Sequence, residues 1–306
     1  MKALILGAAG QVGSEVSEAL LQTIDHRSAD ELVIIEKTRD MLDVTDFGAV
    51  ETAFSKLKPN WVINAAAYTK VDGAESEPKS ADLLNELVPK RLAKMCEDYG
   101  AKLIHISTDY VFPGHGDEPF DESCDVSPLG IYGASKLGGE RGIREELEAH
   151  IILRTSWVFG QYGDNFVKTM LRLASSRDEI SVVCDQVGAP TSARSIARAI
   201  ASIMMAMEKA VATDHRWGTY HYSGYPFCSW SGFAKEIFAQ AAELKLINAS
   251  PQVISISTEE YPTPAVRPRN SRLDCGKIQA VFDIEPDDWP RSLRTVLSRL
   301  KSVEDK

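Results

Sequence analysis

The first fifteen residues, MKALILGAAGQVGSE, constrain the fold more than any other stretch. A short apolar run, Ala3–Leu6, is long enough for one buried strand. It breaks into GAAGQVG at 7–13 and passes directly into a helical pattern. A strand, a glycine-rich turn and a helix make a phosphate cradle. The helix N-terminus offers free N–H groups and partial positive charge, and glycine lets an anion approach the backbone. The spacing is G-x-x-G-x-x-G, not the commoner G-x-G-x-x-G, and taken alone such a motif can be no more than a turn. Its position between strand and helix predicts dinucleotide binding, with Gly7, Gly10, Gln11 and Val12 at the phosphates.

Strand-like and helical runs then alternate. Strands are expected at Ala3–Leu6, Leu32–Ile35, Trp61–Asn64, Leu103–Ser107 and Ile151–Thr155, and helices at Val12–Gln22, Phe47–Leu57, Ser80–Tyr99 and Ala134–Glu148. This pattern predicts an α/β fold of Rossmann type, with a doubly wound parallel sheet. Ligands on such sheets sit beyond the carboxyl ends of the strands. After Val158 the rhythm changes. Helices are expected at Phe166–Ala174, Ser192–Met207 and Trp230–Leu244, strands at Ile180–Cys184 and Gly218–Ser223, and an ordered loop at Tyr261–Asn270. The expected division is a dinucleotide-binding domain over 1–160, with a return segment near 186–215, and a smaller α/β substrate domain over 161–306.

Composition excludes several classes. A net charge of −10 without a basic patch argues against a nucleic-acid partner. No apolar run reaches the ~18 residues of a membrane span, and no signal peptide is read before the first strand. The five cysteines are scattered and form no C-x-x-C, which suits free thiols in a reducing cytoplasm.

The chemistry-bearing residues fall at the expected strand ends. After the second strand come Glu36, Lys37 and Arg39. A carboxylate there would hold the ribose 2′-OH of NAD, whereas Arg39 would tolerate the 2′-phosphate of NADP. Both types are present, and the balance tips towards NADPH with NADH allowed; solvated loop charges are the plain alternative. Asp43 and Val44 would lie beside the adenine. The third strand ends in Asn64, Ala65, Ala66 and Ala67, small enough to pass close to a cofactor or to make a tight strand–helix crossing. The fourth ends in His105-Ile-Ser-Thr108-Asp109-Tyr110. Further on, Tyr132 and Lys136 stand four apart on a helix and share a face. A tyrosine titrates near 10 in isolation, and a neighbouring ammonium should lower that value. Thr108 could hold a substrate oxygen, Tyr132 could protonate a carbonyl as hydride arrives, and Lys136 could bond a ribose hydroxyl. A lone Y-x-x-x-K carries little information; its combination with the glycine turn, the alanine run and Thr108 carries a good deal.

With these residues in view, the chain resembles the extended short-chain dehydrogenase/reductase family, and within it the branch that reduces nucleotide-linked keto sugars. The resemblance rests on GAAGQVG at 7–13, LDVTD at 42–46, NAAAYTKVDGAE at 64–75, HISTDYVFPG at 105–114 and PLGIYGASKLGGE at 128–140. It continues through RTSWVFG at 154–160, NFVKTML at 165–171, DQVGAPTSA at 185–193 and YPTPAVRPRNSRLD at 261–274. It implies NAD(P)H-dependent reduction of the 4-keto group of a dTDP-6-deoxyhexulose, giving dTDP-L-rhamnose. Thr108, Tyr132 and Lys136 would be the catalytic trio. Val71, Asp109 and Trp157 would lie at the sugar, and Asn165, Lys168, Arg267 and Asn270 towards its nucleotide. On the residues alone, Trp157 could equally be a core aromatic, and the arginines around Arg267 a surface cluster.

Some members of that family hold Mg²⁺ at a dimer interface. Glu15 matches one acidic position, but Arg194 stands where a second carboxylate is expected and would repel the ion. A homodimer is allowed without it. Two other readings stay open: an epimerase or dehydratase of the same superfamily, which would hold NAD tightly, and a non-catalytic regulatory subunit of methionine adenosyltransferase. Retention of Tyr132 and Lys136 favours the enzyme.

Overall fold

The computed structural model describes residues 1–23 and 32–304. In the first half, the strands are β1 (Lys2–Leu6), β2 (Val33–Lys37), β3 (Trp61–Asn64), β4 (Lys102–Thr108) and β5 (His150–Thr155). Between them run helices α1 (Gly13–Thr23), α2 (Phe47–Leu57), α3 (Val71–Ser76), α4 (Pro78–Asp82), α5 (Val88–Tyr99) and α6 (Ile131–Glu146). In the second half come β6 (Val158–Phe159), α7 (Phe166–Ala174), β7 (Glu179–Val183), β8 (Val187–Gly188), β9 (Thr191–Ser192), α8 (Ala193–Ala206) and β10 (Gly218–His221). Then follow β11 (Gly224–Tyr225), β12 (Cys228–Ser229), α9 (Trp230–Glu243), β13 (Gln252–Ile256), α10 (Gly276–Phe282), β14 (Asp287–Asp288) and α11 (Trp289–Glu304).

The main sheet has the order β10-β5-β4-β3-β1-β2, with every pairing parallel. The chain order reverses between β1 and β3, the place where such sheets open a crevice. β1 shows why its sequence is apolar throughout. Ala3 and Ile5 join one core with Val16 and Leu20 of α1 and Ile196 and Ile200 of α8. Leu4 and Leu6 face a second core with Phe54 of α2, Leu92 of α5 and Ile143 of α6. A strand covered on both faces needs side chains of one kind, not alternation.

A third core lies in the second half, around Phe159, Val167, Phe233, Ile237, Trp289 and Leu293. There β7 and β13 pair in parallel and α9 covers them. β10 instead joins the main sheet beside β5, and α8 packs on α1, so the chain crosses back after residue 190. Among the described residues, no helix is long and apolar enough to cross a membrane.

Three local details depart from the expectations. β2 runs to Lys37, so Glu36 lies within the strand, and the Lys37 carbonyl accepts the N–H groups of Gly7 and Ala8. The single helix expected over Ser80–Tyr99 is divided by a π-helical turn, Leu83–Leu87. Pro89 has no N–H to give to the Asn85 carbonyl, which removes one bond of the ladder there. The buried Asn85 side chain reaches out of the break to the backbone of Tyr68 and to Ser135. Lastly, α3 forms just after the alanine run, and it brings Val71 and Asp72 over the strand ends.

Candidate active site

Two cavities lie along the carboxyl edge of the main sheet, and a third adjoins them in the second half of the chain. The central one, about 650 Å³, is bordered by Gln11, Val71, Thr108, Asp109, Tyr132, Lys136 and Trp157. A second, about 360 Å³, is shaped by Gly7, Arg39, Asp43 and Val44, and shares Gly10 and Ala65, Ala66 and Ala67 with the first. A third, about 530 Å³, is lined by Arg267, Arg177, Tyr261 and Trp230, and shares Tyr110 with the first.

The glycine turn closes tightly on β3. Gly7 has φ +77°, and a Cβ there would stand 2.6 Å from the Ala66 nitrogen. A Cβ on Gly13 would stand 2.2 Å from the Gly7 carbonyl. Any side chain at either place would push the turn away from the sheet. The cradle therefore requires these glycines, and it fits a dinucleotide pyrophosphate at the start of α1. At its outer end the Arg39 side chain is 84% exposed and only loosely paired with Asp43, at 3.7 Å. A guanidinium so placed is free to meet an added phosphate.

β4 and α6 deliver the central chemistry. Thr108 ends β4, and its Oγ1 accepts from the Tyr110 N–H at 3.2 Å and donates to Asp109 Oδ1 at 3.0 Å. Tyr132, in the first turn of α6, faces the same cavity as Thr108, and its ring meets that of Tyr110 edge-on at 5.4 Å. Burial raises the Tyr132 pKa above its ordinary value. Lys136, one turn on, is buried, and its Nζ donates to the Ile106 carbonyl at 2.6 Å and lies 3.1 Å from His105 Nε2. Burial pushes the lysine down to about 8, with Glu140 opposing the shift. In this arrangement the ammonium does not act on the phenol, which corrects the expectation that Lys136 lowers the Tyr132 pKa. The proton stays on Tyr132, the form a proton donor needs.

Beneath this pair, Glu140 of α6 takes a two-pronged bond from Arg154, at 2.9 and 2.7 Å, and another from Ser107 at 2.6 Å. Burial would raise the Glu140 pKa, but Arg154 and Ser107 outweigh it and hold it low. The His221 Nδ1 sits 3.0 Å from the Phe120 carbonyl, leaving Nε2 to face Arg154 at 3.4 Å. These buried polar groups lock α6 to β4, β5 and β10, and so fix where Tyr132 and Lys136 point.

Trp157 borders the central cavity with a left-handed backbone, φ +45°, unusual for a bulky residue. Its ring stacks on Trp230 at 3.6 Å with an interplanar angle of 10°. Trp230 lines the third cavity, so the stacked pair is a wall between the two. Arg267 lines the third cavity too, donating to the Tyr110 hydroxyl at 3.0 Å and to Asp72 at 2.5 Å.

Three further expected residues stand behind the cavities. Asn165 caps α7 and donates to Gln11 at 3.0 Å, tying the second half to the glycine turn. Lys168 donates to the Gly163 carbonyl at 2.8 Å and so holds a loop that borders the central cavity. Asn270 is buried and donates to the Glu118 carbonyl at 2.8 Å, fastening the loop that carries Arg267. The reading of the sequence missed Trp230, Arg177 and Lys70, all of which border cavities. Arg177 and Lys70 were legible only as cations beside expected element ends. Trp230, at a helix start, gave no signal without its stacking partner.

Glu15 is held by Gln161 Nε2 at 3.0 Å and by the guanidinium groups of Arg299 at 3.4 Å and Arg194 at 3.8 Å. Two cations already face this carboxylate, and among the described residues no cluster of three metal-ligating side chains forms. These surroundings do not fit a divalent ion.

Residues 1–302 match the family model described as the RmlD substrate binding domain. The chain is 42% identical, over 96% of its length and 97% of the relative's, to the dTDP-4-dehydrorhamnose reductase of Aggregatibacter actinomycetemcomitans. Among solved structures it resembles a dTDP-4-dehydrorhamnose reductase from Clostridium acetobutylicum, with TM-score 0.88 and 36% identity, covering 98% of this chain and 100% of that one. It also resembles the Bacillus anthracis reductase solved in complex with NADP, with TM-score 0.84 and 36% identity, covering 97% and 99% of the two chains.

Proposed function

This chain belongs to the RmlD family, whose relatives are dTDP-4-dehydrorhamnose reductases, and we propose from that premise that it reduces the 4-keto group of dTDP-4-dehydro-6-deoxy-L-mannose to give dTDP-L-rhamnose. The observation that carries this reading is the convergence of Thr108, Tyr132 and Lys136 on one cavity between the glycine cradle and the Trp157–Trp230 wall.

NADPH is the reductant, and when bound it supplies the hydride for the carbonyl carbon. Gly7, Gly10, Gln11 and Val12 would hold its phosphates, Arg39 the 2′-phosphate, Asp43 and Val44 its adenine end, and Ala65, Ala66 and Ala67 its flank. Lys136 would bond its ribose. Tyr132 supplies the proton to the carbonyl oxygen, and its burial keeps that proton in place until the oxygen becomes basic. Thr108 orients the same oxygen. Val71 and Trp157 border the sugar, and the third cavity, with Arg267 and Arg177, takes the nucleotide end, where guanidinium groups suit a pyrophosphate.

A coupled assay tests this function. dTDP-4-keto-6-deoxyglucose is epimerised in the presence of the protein, and oxidation of NADPH and NADH is followed separately. The expected result is stoichiometric NADPH oxidation with dTDP-L-rhamnose as product, faster than with NADH. Protein that arrives carrying tightly bound NAD and consumes no added reductant would overturn it in favour of an epimerase or dehydratase.

A further inference from the structure

Thr108 has one hydroxyl proton, and that proton is already committed. Its Oγ1 receives the Tyr110 N–H, while its own proton goes to Asp109 Oδ1 at 3.0 Å. A ketone oxygen can only accept hydrogen bonds. While Asp109 is a carboxylate, Thr108 therefore cannot donate to a keto substrate without giving up its buried acceptor. The other oxygen of Asp109, Oδ2, is buried with no hydrogen-bond partner, and the residue is 4% exposed.

We propose that Asp109 is a positioning residue whose protonation sets the direction of the Thr108 hydroxyl. As a carboxylate it takes the Thr108 proton; as a carboxylic acid it donates to Thr108 Oγ1 and frees that proton for the keto oxygen. This rests on the reading that the cavity binds a ketone. No proton passes from Asp109 to the substrate, since Tyr132 supplies that one. The proton on Asp109 enters from solvent as the ketone binds and leaves with the alcohol product, whose hydroxyl can donate as well as accept.

The surroundings favour such a switch. Burial raises Asp109 to about 6, with Ser271 and Thr108 pulling the other way. The titratable groups facing it are Tyr110, its neighbour in the 3-10 turn after β4, and Tyr132 of α6, both neutral phenols. The nearby cations are turned elsewhere, Arg267 to Tyr110 and Asp72, and Lys136 to His105 and the Ile106 carbonyl. With no cation against it, the carboxylate gains little from remaining ionised.

Calorimetry on the cofactor-free protein tests the proposal. Binding of dTDP-4-keto-6-deoxyglucose at neutral pH is measured in two buffers of different ionisation enthalpy. The wild type and Tyr132→Phe should take up about one proton per site, and Asp109→Asn and Thr108→Val should take up none. In the coupled assay, wild-type kcat/KM should fall as pH rises through the Asp109 titration, and that limb should be absent in Asp109→Asn, whose amide donates to Thr108 at every pH. Ketone binding by the wild type without proton uptake, or an unchanged limb or uptake in Asp109→Asn, overturns the proposal. Thr108→Val provides the same decision if the Asp109 variant fails to fold. A wild type that neither binds the ketone nor oxidises NADPH would instead refute the functional reading.

Discussion

The Nζ of Lys136 lies 3.1 Å from the Nε2 of His105 and donates to the Ile106 carbonyl at 2.6 Å. Asn64 Oδ1 receives the Ala66 N–H at 3.2 Å, so its NH₂ group faces His105 Nδ1 at 3.0 Å. Burial, and then the Lys136 charge, lower the His105 pKa and keep the imidazole neutral. Burial pushes this lysine down to about 8, so it keeps its charge below that value and loses it above.

This predicts a pH-dependent stability. The folded-state pKa of Lys136 is depressed from 10.5 to about 8. Between those values the unfolded chain holds the extra proton, so stability rises with pH across the window, and below it the full penalty applies. Relative to Lys136→Met, the wild type should gain roughly 3 kcal/mol as pH rises from the lower value to the upper one, by the linkage of one pKa unit to about 1.4 kcal/mol. Urea denaturation of both proteins across that range checks it, and parallel curves would show that the buried lysine is not depressed.

Tyr132→Phe removes the proton donor and nothing that holds NADPH. Turnover should drop by roughly 10²–10⁴-fold, the usual worth of a placed general acid. NADPH affinity, followed by fluorescence, should stay near the wild-type value. Near-normal turnover would move the proton to another group.

Arg39→Ala should discriminate between the two reductants. Losing a charge-assisted contact to the 2′-phosphate should weaken NADPH binding by about tenfold or more while leaving NADH nearly unchanged. KM values for both, measured side by side, decide it. Equal effects would mean that Arg39 meets no 2′-phosphate.

Gly188→Ala should act on the sugar side alone. The new Cβ would stand 2.6 Å from the Trp157 ring, which is clamped against Trp230 and cannot yield freely. Shifting that wall should lower kcat/KM for the nucleotide sugar by on the order of tenfold, with NADPH affinity retained. Unchanged sugar kinetics would show that Trp157 does not border the substrate.

The parts legible in the sequence were those decided by neighbours along the chain. The glycine turn could be read because Gly7 and Gly13 are confined by a local bend, and Tyr132 with Lys136 because a helix sets residues four apart on one face. The apolar runs located β1, β3, β4 and β5 because a strand buried on both faces is largely apolar along its length, whereas β2 lies at the sheet edge and is only partly buried.

What the tertiary structure decided involves partners far apart in sequence. His105 reaches Lys136 because β4 lies under α6. Arg267 reaches Asp72 because a loop of the second half folds over α3, and Trp157 finds Trp230 only where α9 meets the end of β5. Each such contact depends on strand order and loop path, and these follow from how the whole chain buries its apolar faces. Residue types and spacing therefore announced a reductase site, while the protonation states of Lys136, Tyr132 and Asp109 were set by burial and by which groups the fold placed against them.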